Sequence, residues 1–517
     1  MANVALFKSL VGKLVPKTDA VNEEHAPAYA FTPKQALAQY AATGCLNNTF
    51  YASAKEQLDK VLALSNQVEP EFVAKAAVYC REKGFMKDMP ALLCAVLSLK
   101  DRGLLKAVFS RVINDGRMLR NFVQILRSGV VGRKSLGTLP KRLVQEWLES
   151  RSDEALFRAS VGQNPSLADI VKMVHPKPAS PAREALYGYL TGRAYDADLL
   201  PEIVRQFERF KAKETIEVPD VPFQMLTALD LGAREWTAIA RQASWQTTRM
   251  NLNTFVRHKV FDERGLPDLI AERLRNPEAI RKVRVFPYQL LVAYTMAANG
   301  VPQSVREALQ DAMEVALHSV PRLDGKVYVL PDVSSSMTSS VTGYRKGSTS
   351  TVRCVDVAAL MAAAVLRQNP EAEIVPFDDR AHEVKLNPRD SVMSNANRLA
   401  SVGGGGTNCS APLARLNRLK AKGDLVIYVF DNQSWMDGAT GRGTATMEEW
   451  NVFKHRNPEA CLVCIDVQPY ATTQATERED ILNVGGFSDQ VFEVVAEFAA
   501  GRLGLDHWIG SIEGVTL

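Results

Sequence analysis

From about residue 326 onward, short apolar runs alternate with helical stretches, and no other feature restricts the fold as much. The runs are VYVL (327–330), EIVPF (373–377), DLVIYVF (424–430) and ACLVCIDV (460–467). Between them, RCVDVAALMAAAVLRQ (353–368) and APLARLNRLKAKG (411–423) carry helical spacing. A strand that is apolar at nearly every position has both faces covered, which is the condition of a parallel sheet flanked by helices. The expected fold of 326–517 is therefore a doubly wound α/β domain whose ligand crevice lies at the carboxyl ends of its strands.

Residues 66 to about 320 have a different texture. Apolar stripes such as 72, 73, 76, 77 and 80, or Met118, Leu119, Phe122, Val123 and Leu126, repeat at helical spacing. Gly84, Gly103, Gly116 and Gly129 punctuate them and are expected to act as stops, with Asp88 capping one helix start. Short helices in succession predict an α-solenoid of HEAT-like repeats over 1–325, almost wholly helical from about residue 25.

Charge separates the same two regions. Residues 1–325 hold 44 Lys and Arg against 35 Asp and Glu, a net +9, whereas 326–517 hold 18 against 23, a net −5. Within 101–142, ten basic residues face only Asp101 and Asp115. A basic region of this kind suits a polyanionic partner. The seven cysteines are odd in number, scattered and set mostly in apolar runs, so free thiols in a reducing, cytoplasmic setting are expected. Cys461 and Cys464 form a CxxC inside an apolar strand, where core packing is the reading. No apolar run approaches the roughly 20 residues of a membrane helix. The opening MANVALFKSLVGKLVPK lacks the apolar region and cleavage site of a signal peptide.

The chemistry-bearing residues follow the first strand. Asp332, Ser334 and Ser336 form D-x-S-x-S, one carboxylate and two hydroxyls suited to a hard cation that keeps some waters. Gly403–Gly406 lead into Thr407, and Asp431 follows the strand DLVIYVF. All three elements sit at strand ends, so they are expected to share one crevice. The ion is expected to be Mg²⁺, with Mn²⁺ or Ca²⁺ as alternatives. No nucleophile–base pair accompanies them, and GGGGTN lacks a P-loop lysine, so no enzyme activity is expected.

Asp332-Val-Ser334-Ser-Ser336, Gly406-Thr407 and Phe430-Asp431, in that order, resemble the metal-ion-dependent adhesion site of the von Willebrand A fold. Upstream, TFYASAKEQ within Gly44–Gln57, Val174-His175-Pro176-Lys177-Pro178 and RKVRVFPYQ (281–289) resemble segments of the Ro ribonucleoprotein (TROVE) family. So do DVSSSM, GGGTNCS and DNQSW in the C-terminal region. The resemblance implies a monomeric ring of helical repeats closed by the A-type domain. It also implies single-stranded ends of misfolded or structured non-coding RNA in a central hole, and a small Y-like RNA outside. An exoribonuclease is the implied companion in RNA quality control. The metal site would take a carboxylate or phosphate from a partner. Where the family carries a basic K-Y-K-x-R-x-G-W element, Arg158–Ser166 here has one basic residue and no Trp, and Phe286 stands where the family favours His.

Arg127, Arg133, Lys134, Lys141 and Arg142 flank a glycine-containing turn and are the expected RNA contacts; only the resemblance adds His175 and Lys177. Trp236 and Trp245 are expected in the core. The competing function is a metal-dependent protein-binding adaptor on a helical scaffold that uses no RNA.

Overall fold

The computed structural model describes residues 15–517 apart from 284, 286, 318–319, 345–351, 437–442, 488 and 504–505. The opening up to residue 14 and Phe286 thus lie outside the described residues. Packing divides the chain into two units, one of residues 1–67 with 317–514 and one of 68–316 with 515–517. The division expected at 325/326 falls at 316/317. The first 67 residues pack with the C-terminal part, which a linear reading does not foresee.

In the first unit the strands are β1 (Ala20–Val21), β2 (Pro27–Ala30), β3 (Val327–Pro331), β4 (Glu373–Ile374), β5 (Leu425–Phe430), β6 (Cys461–Asp466), β7 (Thr472–Thr473) and β8 (Ile481–Gly485). Five of them form a parallel sheet in the order β4-β3-β5-β6-β8. The four apolar runs supply four of these strands. The fifth, β8, reads ILNVG and escapes a search for apolar runs because Asn483 and Gly485 interrupt it. Both faces of the sheet are covered: every residue of β3, β5 and β8 is buried. One face packs Tyr328, Leu330, Tyr428, Phe430, Trp450 and Phe453 into a core. The helix Cys354–Gln368 is buried from Cys354 through Leu366, with residue 356 the one exception. A helix apolar on nearly all sides must lie inside. β1 and β2 form a small antiparallel sheet with β7, tying the N-terminal segment to the loop after β6.

Strand order positions the ligand crevice. The chain leaves β3 towards β4 on one side, and β5 then pairs with β3 on the other. In doubly wound sheets the crevice at such a reversal is where ligands bind. Asp332 and Asp431 directly follow the two strands that flank it.

The second unit is helical from Pro70–Glu82 through Gln303–Ala316. The helix Asp88–Lys100 is buried at every position from Met89 to Ser98 and packs against Pro70–Glu82, Arg102–Val112 and Gly116–Ser128. The expected stops at Gly103 and Gly116 are corrected here, because both glycines lie in the first turns of helices. Asp101 and Asp115 set those starts, their carboxylates accepting from the backbone of Leu104 (2.9 Å) and Met118 (2.8 Å). Each such cap contributes about 1 kcal/mol, which outweighs the helix cost of a nearby glycine. Asp88 caps nothing and instead accepts from Asn121 at 2.8 Å. Gly116 has its own reason to be glycine: a Cβ there would lie 2.7 Å from the Ala159 Cβ, too close for two packed helices. Gly129 does end its helix, in the left-handed conformation at φ 87°.

Candidate metal centre and basic segment

Three loops meet at the carboxyl edge of the sheet, and backbone hydrogen bonds lace them together. Ser335 N–H donates to Gly405 O (2.9 Å), Gly404 N–H to Val333 O (2.8 Å), and Trp435 and Met436 N–H to Thr407 O (3.1 Å each). Gly403 adopts φ +84°, and a Cβ there would lie 2.4 Å from Val333 Cγ2, so the close approach of these loops requires glycine. All five expected ligands, Asp332, Ser334, Ser336, Thr407 and Asp431, are brought to this edge and buried. Within the first loop, Ser334 N–H donates to Asp332 Oδ1 at 2.8 Å, and the Ser334 and Ser336 hydroxyls lie 3.2 Å apart. Asp431 Oδ1 accepts from Gln433 N–H at 3.3 Å, and the Ser336 hydroxyl is also within its reach.

The electrostatics are those of an anionic hollow. Burial and then the charge of Asp431 push the Asp332 carboxyl well above its usual range. Burial likewise raises Asp431 to about 6, against hydrogen bonds from Ser336 and Gln433 that favour its charged form. Asp332 Oδ2 has no hydrogen-bond partner among the described residues. Two buried carboxylates that oppose each other's ionisation, one with an orphaned oxygen, and two adjacent hydroxyls are a donor set that fits a hard divalent cation.

Two carboxylates here were not anticipated from sequence. Asp378 follows β4 and Asp466 ends β6, so four neighbouring strands of the sheet each deliver an aspartate to its edge. The available signal was an Asp at the end of each apolar run, as in EIVPFDD and CLVCID. Asp378 braces the glycine loop: Oδ2 accepts from Gly405 N–H (3.1 Å), its carbonyl from Asn408 N–H (2.8 Å), and Oδ1 lies 2.6 Å from His382 Nε2. Burial would raise its pKa, but hydrogen bonds from Asp379, His382 and the loop backbone hold it below the usual value. Asp378, Asp379 and His382 could together reach one ion, yet Asp378 already spends both oxygens on the fold. Burial and the charge of Asp431 raise Asp466, whose Oδ2 meets Asn432 Nδ2 at 3.4 Å.

In the helical unit, the basic segment spans the end of the helix Gly116–Ser128, a loop with left-handed glycines at 129, 132 and 137, and the start of the helix Thr138–Glu149. Arg127, Lys134 and Arg142 are exposed, and Arg133 and Lys141 half-buried. Arg133 Nε donates to Ser135 O at 2.8 Å, and its guanidinium lies beneath Gly137, where a Cβ would collide with it. Arg142 pairs with Glu146 at 3.4 Å, an exposed i,i+4 contact that contributes only about 0.3–0.5 kcal/mol and yields readily to a phosphate. Among the described residues, Arg127, Arg133, Lys134 and Lys141 make no ion pair with an acid. His175 caps the helix Leu167–Val174 in the left-handed conformation, and its ring and Lys177 are exposed.

The two tryptophans singled out from sequence are structural, as is Arg249. Trp236 and Trp245 are buried, the latter donating to Leu274 O at 2.9 Å. Arg249 is buried and donates to Gln289 O at 2.7 Å; desolvation lowers its pKa to about 10. The cysteines are free thiols. No described helix is long and apolar enough to cross a membrane.

The Ro60 von Willebrand A domain family model matches residues 326–499. RNA-binding protein RO60 of Deinococcus radiodurans is 23% identical over 547 aligned positions, which cover 94% of this chain and 98% of that protein. RNA-binding protein RO60 of Caenorhabditis elegans is 25% identical over 247, covering 46% of this chain and 37% of its own length. The crystal structure of the Deinococcus radiodurans RO (RSR) protein superposes with a TM-score of 0.65 at 21% identity, covering 91% of this chain and 100% of that one. The fold is thus a helical region joined to a von Willebrand A domain of the Ro60 kind, a domain type that commonly holds a metal ion.

Proposed function

Starting from a chain of the Ro ribonucleoprotein type, we propose that this protein binds structured or misfolded non-coding RNA through its helical unit. The observation that carries this reading is that Arg127, Arg133, Lys134 and Lys141, exposed or half-buried, make no ion pair with an acid among the described residues. Lysine and arginine left free of carboxylates can release the counterions of a phosphate backbone, which is the main source of sequence-independent RNA affinity. Their placement around a glycine-rich loop suits a flexible single strand, whose phosphates can follow an irregular line of charge, better than a rigid duplex. The preferred element is accordingly a single-stranded 3′ end. His175 and Lys177 add a second exposed contact, and a small Y-like RNA and an exoribonuclease are the expected companions in cytoplasmic RNA quality control.

The sheet edge would hold one divalent cation, Mg²⁺ in the cell, through Asp332, Ser334, Ser336, Thr407 and Asp431. Such an ion would supply residual positive charge for a carboxylate or phosphate of a partner, since only two of these ligands are anionic. The chain's own residues prepare it by excluding water and by fixing the hydroxyls through the laced loops. Among the described residues no imidazole or amine hydrogen-bonds to the Ser334 and Ser336 hydroxyls, which supports a binding role for the site.

The test is fluorescence anisotropy with one hairpin RNA, blunt or bearing a 3′ single-stranded tail, over a range of salt. The tail is expected to tighten binding at least tenfold, with affinity falling steeply as salt rises. Equal affinity for the two RNAs removes the end preference; absence of salt-dependent binding to either removes the RNA reading and favours the protein-binding adaptor.

A further inference from the structure

Every expected cation ligand is shut in: Asp332 and Ser334 are 0% exposed, and Ser336, Thr407 and Asp431 are 2% exposed. A centre that recruits an anion from a partner needs an open face, so some part of the chain must cover that face. One such part comes from far away in sequence. Tyr344 N–H donates to Asn48 O at 2.7 Å, and Asn47 Nδ2 to Thr342 O at 2.8 Å, pinning 47–48 onto the loop that follows D-x-S-x-S. Thr49 N–H closes a turn on Ala52 O at 2.8 Å. The turn directs the Tyr51 ring edge-on to Tyr470, with centroids 5.6 Å apart, and the Tyr470 hydroxyl meets Thr49 Oγ1 at 3.4 Å. From this position the Tyr51 hydroxyl is within hydrogen-bonding reach of Ser336 and in the field of both Asp431 and Asp332.

We propose that Tyr51 is a built-in occupant of the outward-facing position of the cation centre, its phenol standing where an anionic group of a partner would bind. The proposal rests on the cation reading of Asp332, Ser334, Ser336, Thr407 and Asp431. Its chemistry is a competition between unequal oxygens. A neutral phenol is a weaker partner for a hard cation than a carboxylate or phosphate, so it holds the position only while no anion is near. The segment 47–51 is kept in place by a few hydrogen bonds and one aromatic edge contact to Tyr470, each individually weak. A partner that supplies an anion can therefore displace it. The site is closed to water and small anions until that exchange takes place.

The experiment uses the full chain with Mn²⁺ as probe, measuring water-proton relaxation and its response to acetate. Wild type is expected to bind Mn²⁺ with low relaxation enhancement that acetate does not change. Tyr51→Phe keeps the ring against Tyr470 but lets water replace the phenol, so enhancement rises. Tyr51→Ala opens the position, so enhancement rises and acetate then lowers it, a response wild type does not show. If Tyr51→Ala does not fold, the rise in Tyr51→Phe decides. Equal enhancement and equal acetate response in all the proteins overturn the tyrosine cap and leave the cation reading standing. No Mn²⁺ binding by any of them, with unchanged near-ultraviolet circular dichroism, overturns both.

Discussion

The sheet edge and the basic segment place charge in opposite ways. At the edge, Asp332 and Asp431 are buried, one oxygen of each accepts from a neighbouring backbone N–H, and the two carboxyls oppose each other's ionisation. In the basic segment, Arg127, Lys134 and Arg142 are in water on flexible stems and are neighbours mainly through a loop. Burial amplifies each charge at the edge, so few residues suffice and each is indispensable. Exposure screens each charge in the basic segment, so function there depends on their number, and any single one is dispensable. Specific recognition of one small ion and broad recognition of a polymer call for these two arrangements respectively.

The largest expected effect lies at the buried edge. Asp332→Ala should abolish Mg²⁺ and Mn²⁺ binding in a calorimetric titration while near-ultraviolet circular dichroism and RNA affinity stay as in wild type. Retained metal affinity would end the assignment, and a parallel loss of RNA affinity would show that the two regions do not act separately.

The next effect sharpens the dispersed side. Replacing Arg133, Lys134, Lys141 and Arg142 together by Ala should weaken binding of tailed RNA about tenfold or more. The log–log salt slope should flatten by about 0.7 for each phosphate of the single strand that the variant no longer neutralises. Each single replacement should cost only a few-fold. If one alone reproduces the quadruple loss, that cation is a fixed contact, and the contrast between the two regions fails.

How far these features could be read from sequence follows from the same contrast. The parallel strands were legible because burial on both faces forces apolar runs, and Asp332, Ser334, Ser336, Thr407 and Asp431 were legible because they follow those runs. β8 was hidden by Asn483, whose side chain serves a buried hydrogen-bond network with Thr473 and Ala475 instead of an apolar face. Asp378 and Asp466 were hidden because their roles depend on the order of strands across the sheet, which the sequence does not state. Helix starts at Asp101 and Asp115 were masked by adjacent glycines, where the cap decides. The pairing of residues 20–67 with the C-terminal unit left no local trace, since contacts such as Asn22 Nδ2 to Ser434 O (2.5 Å) span more than 400 positions.

The smallest expected effect concerns pH. The folded-state pKa values of Asp332 and Asp431 are raised above their unfolded values, so the stability tied to their protonated forms is fully present below about pH 4. It is lost as pH rises through the folded values, which is about 6 for Asp431 and well above the usual range for Asp332. In metal-free protein, Asp332→Asn should therefore melt at the same temperature as wild type near pH 4 and increasingly above it towards pH 7. Saturating Mg²⁺ should close the gap by stabilising wild type alone. A gap that does not vary with pH would mean that the two carboxylates do not share one buried field.

The interleaving of the first 67 residues with residues 317–514 has a consequence for how the molecule is made. A ribosome releases the N-terminal segment long before β8 exists. At about 5–20 residues per second, the interval between residues 67 and 485 is roughly 20–80 s. The helical unit, whose neighbours are mostly close in sequence, can assemble during that interval, while β2 waits for β7 and the turn bearing Tyr51 for Tyr470. The carboxyl edge of the sheet, with the proposed ion ligands, is therefore completed after the helical unit, and an unfinished chain carries the basic segment without it.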